Sequence, residues 1–290
     1  MVILYFPIWI IGAMAVGDLM PQGQSEPGLL SQEVGTLVLA IINTLLVVAL
    51  IVTSRWRGWR LALALAFAYY GSFTFITQIE TWYLLSEITV SPELLPRLFI
   101  MGLSIPLIFI PLAVLICKKW KGADEGLSKT KWEMPFMQLL LKLAVIAIIY
   151  VLIYWVAGYY IAWQNPELRA FYGSPGDIEP FFAHTLRTIR NTPGLILLQL
   201  VRGVLFALIA LPVIAGSKVK PWTTALLVGF LLALPHLGHI LPNPLMPLAS
   251  VRLSHMIETF TSTFFFGLII VWLLHRKHSS FRDLLYKKEI

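Results

Sequence analysis

Residues 251–274 read VRLSHMIETFTSTFFFGLIIVWLL. From Thr259 onward the run carries no charge, and as a helix it fits a bilayer, which takes about 20 apolar residues to cross. Its first part holds His255 and Glu258 one turn apart, where a charged group in lipid is costly and is normally paired or functional. At about 100° per residue, His255, Glu258, Thr259 and Ser262 fall on one polar stripe about two turns long, which Phe266 closes off.

The same reading extends along the chain. Of 290 residues, 58% are hydrophobic and 13% charged, with a mean hydropathy of +0.79, against roughly 25% charged in an ordinary soluble domain. Eight apolar runs are candidates to span a membrane: 2–17, 34–53, 61–83, 95–117, 134–163, 195–216, 222–241 and 253–275. They lack the ten-residue alternation of a membrane β-barrel. The expected fold is therefore an all-α integral membrane protein, a polytopic bundle of about eight transmembrane helices forming a single domain over 1–290. The first run is short and ends in AMAVGD, whose Ala13-Met14-Ala15 suits signal cleavage. Retention is the reading adopted, and cleavage would leave seven spans.

Orientation follows from the basic residues. Three loops and a basic tail (276–290) hold 15 of the 22 Lys and Arg residues on one side: the loop of Arg55, Arg57 and Arg60, the 118–131 loop, and the loop of Lys218 and Lys220. The positive-inside rule makes that side, with both termini, cytoplasmic. The net charge of +7 is thereby explained without nucleic acid, and the expected location is the cytoplasmic (plasma) membrane. The tail is expected to rest on anionic headgroups. Cys117 is the single cysteine, so the sequence carries no disulfide framework or cysteine-based metal cluster.

No soluble domain fits between the spans. The longest outer connection, 164–194, contains an expected interfacial helix within 177–191, starting near an Asp177 cap. It puts Ile178, Phe181, Phe182, Leu186 and Ile189 on one face and His184, Arg187 and Arg190 toward the other. It reads as a surface cover or, functionally, as a lid. The nearby Tyr154, Trp155, Tyr159, Tyr160 and Trp163 read as interface anchors.

Polar groups gather at the outer level. Glu258 lies on the order of 8 Å, and Arg202 about 10 Å, below the outer starts of their helices. Glu80 is near the outer end of its span, with a stripe of Tyr70, Thr74, Thr77 and Thr81 beside it, and Gln199 precedes Arg202 by three residues. Pro235 and Gly238 should bend or end their helix, turning His236 and His239 toward the same level. Lys142 can snorkel inward.

Three chemistries fit this set. Arg202 with Glu258 or Glu80 could be an ion pair that only assembles helices. His236, His239, His255 and Glu258 could offer nitrogen and oxygen ligands to zinc or another divalent metal. Arg202, Glu80, Gln199 and Arg252 could bind a lipid headgroup or other small anionic ligand, with Glu258 or His255 as catalytic base. The expectation carried forward is an outward-facing polar pocket in the outer leaflet that binds, and in an enzyme would process, such a ligand. A small-molecule transporter and a non-catalytic accessory subunit are the alternatives. The inner halves of the last three spans offer almost no polar path, which weighs against a conduit through them.

Overall fold

The computed structural model describes residues 1–23, 25–86, 88–122, 124 and 134–275. Among the described residues seven helices are long and apolar enough to cross a membrane: α2 (Gln32–Thr53), α3 (Gly58–Leu85), α4 (Leu94–Ile116), α5 (Phe136–Gln164), α8 (Pro193–Gly216), α9 (Pro221–Ile240) and α10 (Ala249–Leu274). A shorter apolar helix, α1 (Val2–Ala13), packs against α2 and α4 through Tyr5 and Ile8. At 12 residues it is about 18 Å long, well short of a hydrocarbon core about 30 Å thick. The eight expected spans thus become seven long helices and one short one. The basic tail 276–290 and most of the 118–131 loop lie outside the described residues.

Two helices contain π segments, Gly71–Phe75 in α3 and Ile105–Phe109 in α4. Each widens a turn and resets which residues face the bundle. In α3 the first half of the expected polar stripe turns to α4, where the Tyr70 hydroxyl donates to the Phe99 carbonyl and Thr74 packs on Gly102, while Ser72, outside that stripe, donates to the Leu231 carbonyl of α9 at 2.6 Å. Glu80, on the flank of that stripe, is the residue that reaches the polar site.

The tightest helix pair is α9 with α10. A Cβ on Gly267 would come 2.6 Å from the Gly229 Cα, so two glycines let the backbones touch, as small residues do between membrane helices. Their apolar faces pack together, with Val228, Leu231, Leu232, Phe266, Ile270 and Val271 all buried. Gly203 similarly lets α8 lie against Ala147 and Tyr150 of α5.

At one end the basic loops meet. Arg55 donates to the Ser217 carbonyl, Lys119 to the Ser54 carbonyl, and the Arg57 amide to Asp124. At the other end, the long connection after α5 folds into a short helix α6 (Pro166–Phe171), a loop, and α7 (Phe181–Asn191). Asn165 caps α6 through its side-chain oxygen and donates to Ser254 of α10 at 2.9 Å. Helix α7 begins at Phe181 rather than near Asp177. Proline disfavours the helical conformation in the residue before it, so Pro180 bars Glu179 from the helix and becomes the N-cap itself.

Candidate functional site

The polar residues at the end of the bundle away from the basic loops form two clusters around a cavity of about 410 Å³. The first is centred on Arg202 of α8. Its guanidinium grips Glu80 of α3 in a bidentate pair, at 2.9 and 2.6 Å, and donates to Gln199 at 3.0 Å. It lies over the Tyr150 and Phe206 rings at 5.6 and 5.8 Å and is 2% exposed. Of the two glutamates open to pairing with it, the structure selects Glu80. Glu80 lines the cavity while Arg202 stands behind it.

The second cluster is a chain of three side chains. The Nδ1 of His255 lies 3.2 Å from a Glu258 carboxylate oxygen, and its Nε2 lies 2.9 Å from the Tyr172 hydroxyl. A proton on Nδ1 satisfies both bonds: the imidazole donates to Glu258 and accepts from Tyr172. Burial, then the charges of Glu80 and Glu258, push the Tyr172 phenol well above the usual tyrosine range, so its proton stays in place to donate. The other Glu258 oxygen, Oε1, faces the α5 wall, where it would meet a Cβ added at Gly158 at 3.8 Å. Glu258 is 5% exposed, and both His255 and Glu258 line the cavity.

Tyr172 arrives from the loop after α6, which is tied down on several sides. Arg169 donates to the carbonyls of Trp163, Gln164 and Gly176, and Glu167 accepts from Ser250 of α10. The Tyr159 hydroxyl donates to the Glu179 carbonyl at 2.6 Å, and the Glu179 carboxylate pairs with Arg187 at 3.0 Å.

Helix α7 forms the cavity's outer side with His184, Arg187, Thr188 and Asn191. Its polar residues therefore turn in, while Phe182, 83% exposed, Leu186 and Ile189 turn out. Burial, with Arg187 adding to it against Glu179, lowers the His184 pKa and keeps the ring neutral. The aromatic residues expected as anchors prove to be wall material as well: Tyr154, Trp155, Tyr159 and Trp163 line the cavity. Leu84, Ile88 and Leu195 supply an apolar side.

Some sequence-predicted site residues do something else. Arg252 does not line this cavity: its guanidinium donates to the carbonyls of Met246, Pro247, Glu26 and Pro27, all within 2.9 Å. It clamps the outer loop and the 14–31 connection onto the start of α10, while Glu26 accepts from the Ala249 amide there, where negative charge is favoured. The four expected metal ligands do not form a set. His236 is buried at the 3₁₀ end of α9 (Leu234–Ile240), the rings of His239 and His255 stack at 6.3 Å, and His255 is already bonded on both nitrogens. Among the described residues no three His, Cys, Asp or Glu side chains are arranged to hold a metal ion.

Tyr172 is the site residue that sequence reasoning missed. It lies in a loop, outside any helical periodicity, and only its place within the aromatic-rich outer connection marked it. Compared with family models, curated proteins and solved structures, the chain matches none.

Proposed function

We propose that this is a multi-pass protein of the cytoplasmic membrane whose cavity binds the headgroup end of an amphiphile in the outer leaflet. The observation that carries the reading is the cavity of about 410 Å³ itself, within the 300–1,000 Å³ usual for small-molecule sites. It has an aromatic and polar interior, an apolar side of Leu84, Ile88 and Leu195, and a wall helix, α7, with apolar residues exposed outward. A headgroup fits the polar part and a chain the apolar side, while Phe182, Leu186 and Ile189 lie against the lipid.

The outward orientation rests on the basic loops that meet at the opposite end of the bundle, which the positive-inside rule makes cytoplasmic. Closed apolar packing of α8, α9 and α10 on that inner side favours a one-sided site over a conduit. Processing of the bound ligand would fall to Glu258, whose Oε1 faces the cavity. His255 acts on a ligand only through Tyr172, because the tyrosine hydroxyl occupies its Nε2.

The test is native mass spectrometry of protein purified in mild detergent, beside Gly158→Leu, which fills the cavity from the α5 wall against Glu258 and leaves every ionisable group in the chain. Retained amphiphile in the native protein and its loss in the variant are expected. Equal retention in both, or none in the native protein, would overturn the reading.

A further inference from the structure

The charge on the cavity wall points to the ligand's sign. Arg202 is bonded to Glu80 and Gln199, Arg187 is paired with Glu179, and Arg252 is spent on backbone carbonyls. Arg202, Arg187 and Arg252 thus have partners already. Glu258 is different. Its Oε2 accepts a hydrogen bond from His255 Nδ1, but Oε1 accepts none among the described residues, and the side chain is more than nine-tenths buried at the cavity wall.

A carboxylate so placed, with no arginine or lysine paired to it among the described residues, favours a hydrogen-bonding cation in front of it. The rest of the wall agrees. Trp163 and Tyr172 stack with centroids 6.5 Å apart, Tyr159 lies alongside, and the Tyr154 hydroxyl bonds to no described residue. Rings within about 6 Å of a cation attract it through their faces.

We propose that the cavity is a site for an organic ammonium group, held by the Glu258 carboxylate among the rings of Tyr154, Tyr159, Trp163 and Tyr172. This rests on the binding-pocket reading above and adds the ligand's charge. A primary ammonium donates to Glu258 Oε1 and the Tyr154 hydroxyl; a quaternary one uses the ring faces. The group can come from a lipid headgroup or from a free amine.

The experiment titrates the full chain in neutral detergent with butylammonium, butyltrimethylammonium and butanesulfonate, read by saturation-transfer NMR. In parallel, native mass spectrometry compares lipid retained from nanodiscs of phosphatidylcholine, phosphatidylethanolamine or phosphatidylglycerol. Saturable binding of an ammonium but not of the sulfonate is expected. Glu258→Gln should weaken it roughly tenfold to a hundredfold, as loss of a charged hydrogen-bond partner does, and Gly158→Leu should abolish it.

Should Glu258→Gln not purify, the wild-type preference for ammonium over sulfonate decides. Retention of zwitterionic or amine lipid without free-ion binding assigns the headgroup source, and the reverse assigns a free solute. Equal binding of ammonium and sulfonate, or an unchanged affinity in Glu258→Gln with loss in Gly158→Leu, overturns the cation and leaves the pocket. No binding of any probe and no retained lipid overturns both.

Discussion

Glu80→Gln should be the most damaging conservative change at the outer end of the bundle. The substitution preserves size and removes a charge, leaving Arg202 facing a neutral amide while it is 2% exposed. The Glu80 side chain is 22% exposed, so the cost falls mainly on the arginine, which cannot shed its proton. Breaking a buried pair by removing one partner costs about 3–5 kcal/mol. At roughly 2–4 °C per kcal/mol for a large domain, the loss in thermal midpoint should be on the order of 10 °C.

The control removes the whole polar unit. Gln199 would otherwise lose its partner, at about 1–3 kcal/mol, so the comparison is the triple variant Glu80→Leu, Gln199→Leu, Arg202→Met. Replacing a buried pair by apolar groups of like volume is often neutral or stabilising, and the triple variant should unfold near the native temperature. The assay is thermal unfolding in detergent followed by tryptophan fluorescence. A shift under about 2 °C for Glu80→Gln, or a triple variant as unstable as the single one, would refute the assignment of Arg202 to Glu80.

Three further outcomes are expected. Arg252→Lys cannot reproduce a planar fork that serves four carbonyls and should cost about 2–4 kcal/mol, with limited proteolysis opening first within 14–31. Gly267→Val would push a side chain into the Gly229 backbone and should destabilise by about 1–3 kcal/mol or more, seen in unfolding midpoints, whereas Gly158→Leu should not. The lowered His184 pKa means that the ring gains a proton more readily when α7 is released than when it is packed. Packing is therefore unaffected above the ordinary histidine pKa near 6.5 and weakens as pH falls below it; lower protection over 181–191 at pH 5.5 than at pH 7.5, once the intrinsic pH dependence of amide exchange is divided out, and no such difference in His184→Gln, would check this.

The long helices were readable in the sequence because an apolar run of about 20 residues has few soluble interpretations. Arg202, Glu80 and Glu258 were readable because charge in such a run is conspicuous. Their partners were not. Choosing Glu80 over Glu258 for Arg202 depends on how α3 turns, and the π segment at Gly71–Phe75 resets that face in a way no fixed 3.6-residue period anticipates. Arg252 looked like a ligand-binding group because the carbonyls that consume it come from distant loops. Asp177 resembled a helix cap, yet Pro180 three residues later governed where α7 begins. Tyr172 had no charge to flag it and no regular helix to place it, although it completes the His255–Glu258 chain.

The docking of the long outer connection on α10 also bears on how the protein is made. Asn165 on Ser254, Glu167 on Ser250 and Tyr172 on His255 join a segment to a helix made 83 to 89 residues later. A nascent chain stopped before Ala249 can insert α2 through α9, yet it lacks the surface on which that connection seats and one wall of the cavity. The pocket is thus closed only when α10 packs beside its neighbours. Until then the aromatic residues of the outer segment are open to the bilayer, and ribosome-stalled chains of graded length should show Tyr172 and Trp163 becoming protected together, in one step, as α10 emerges.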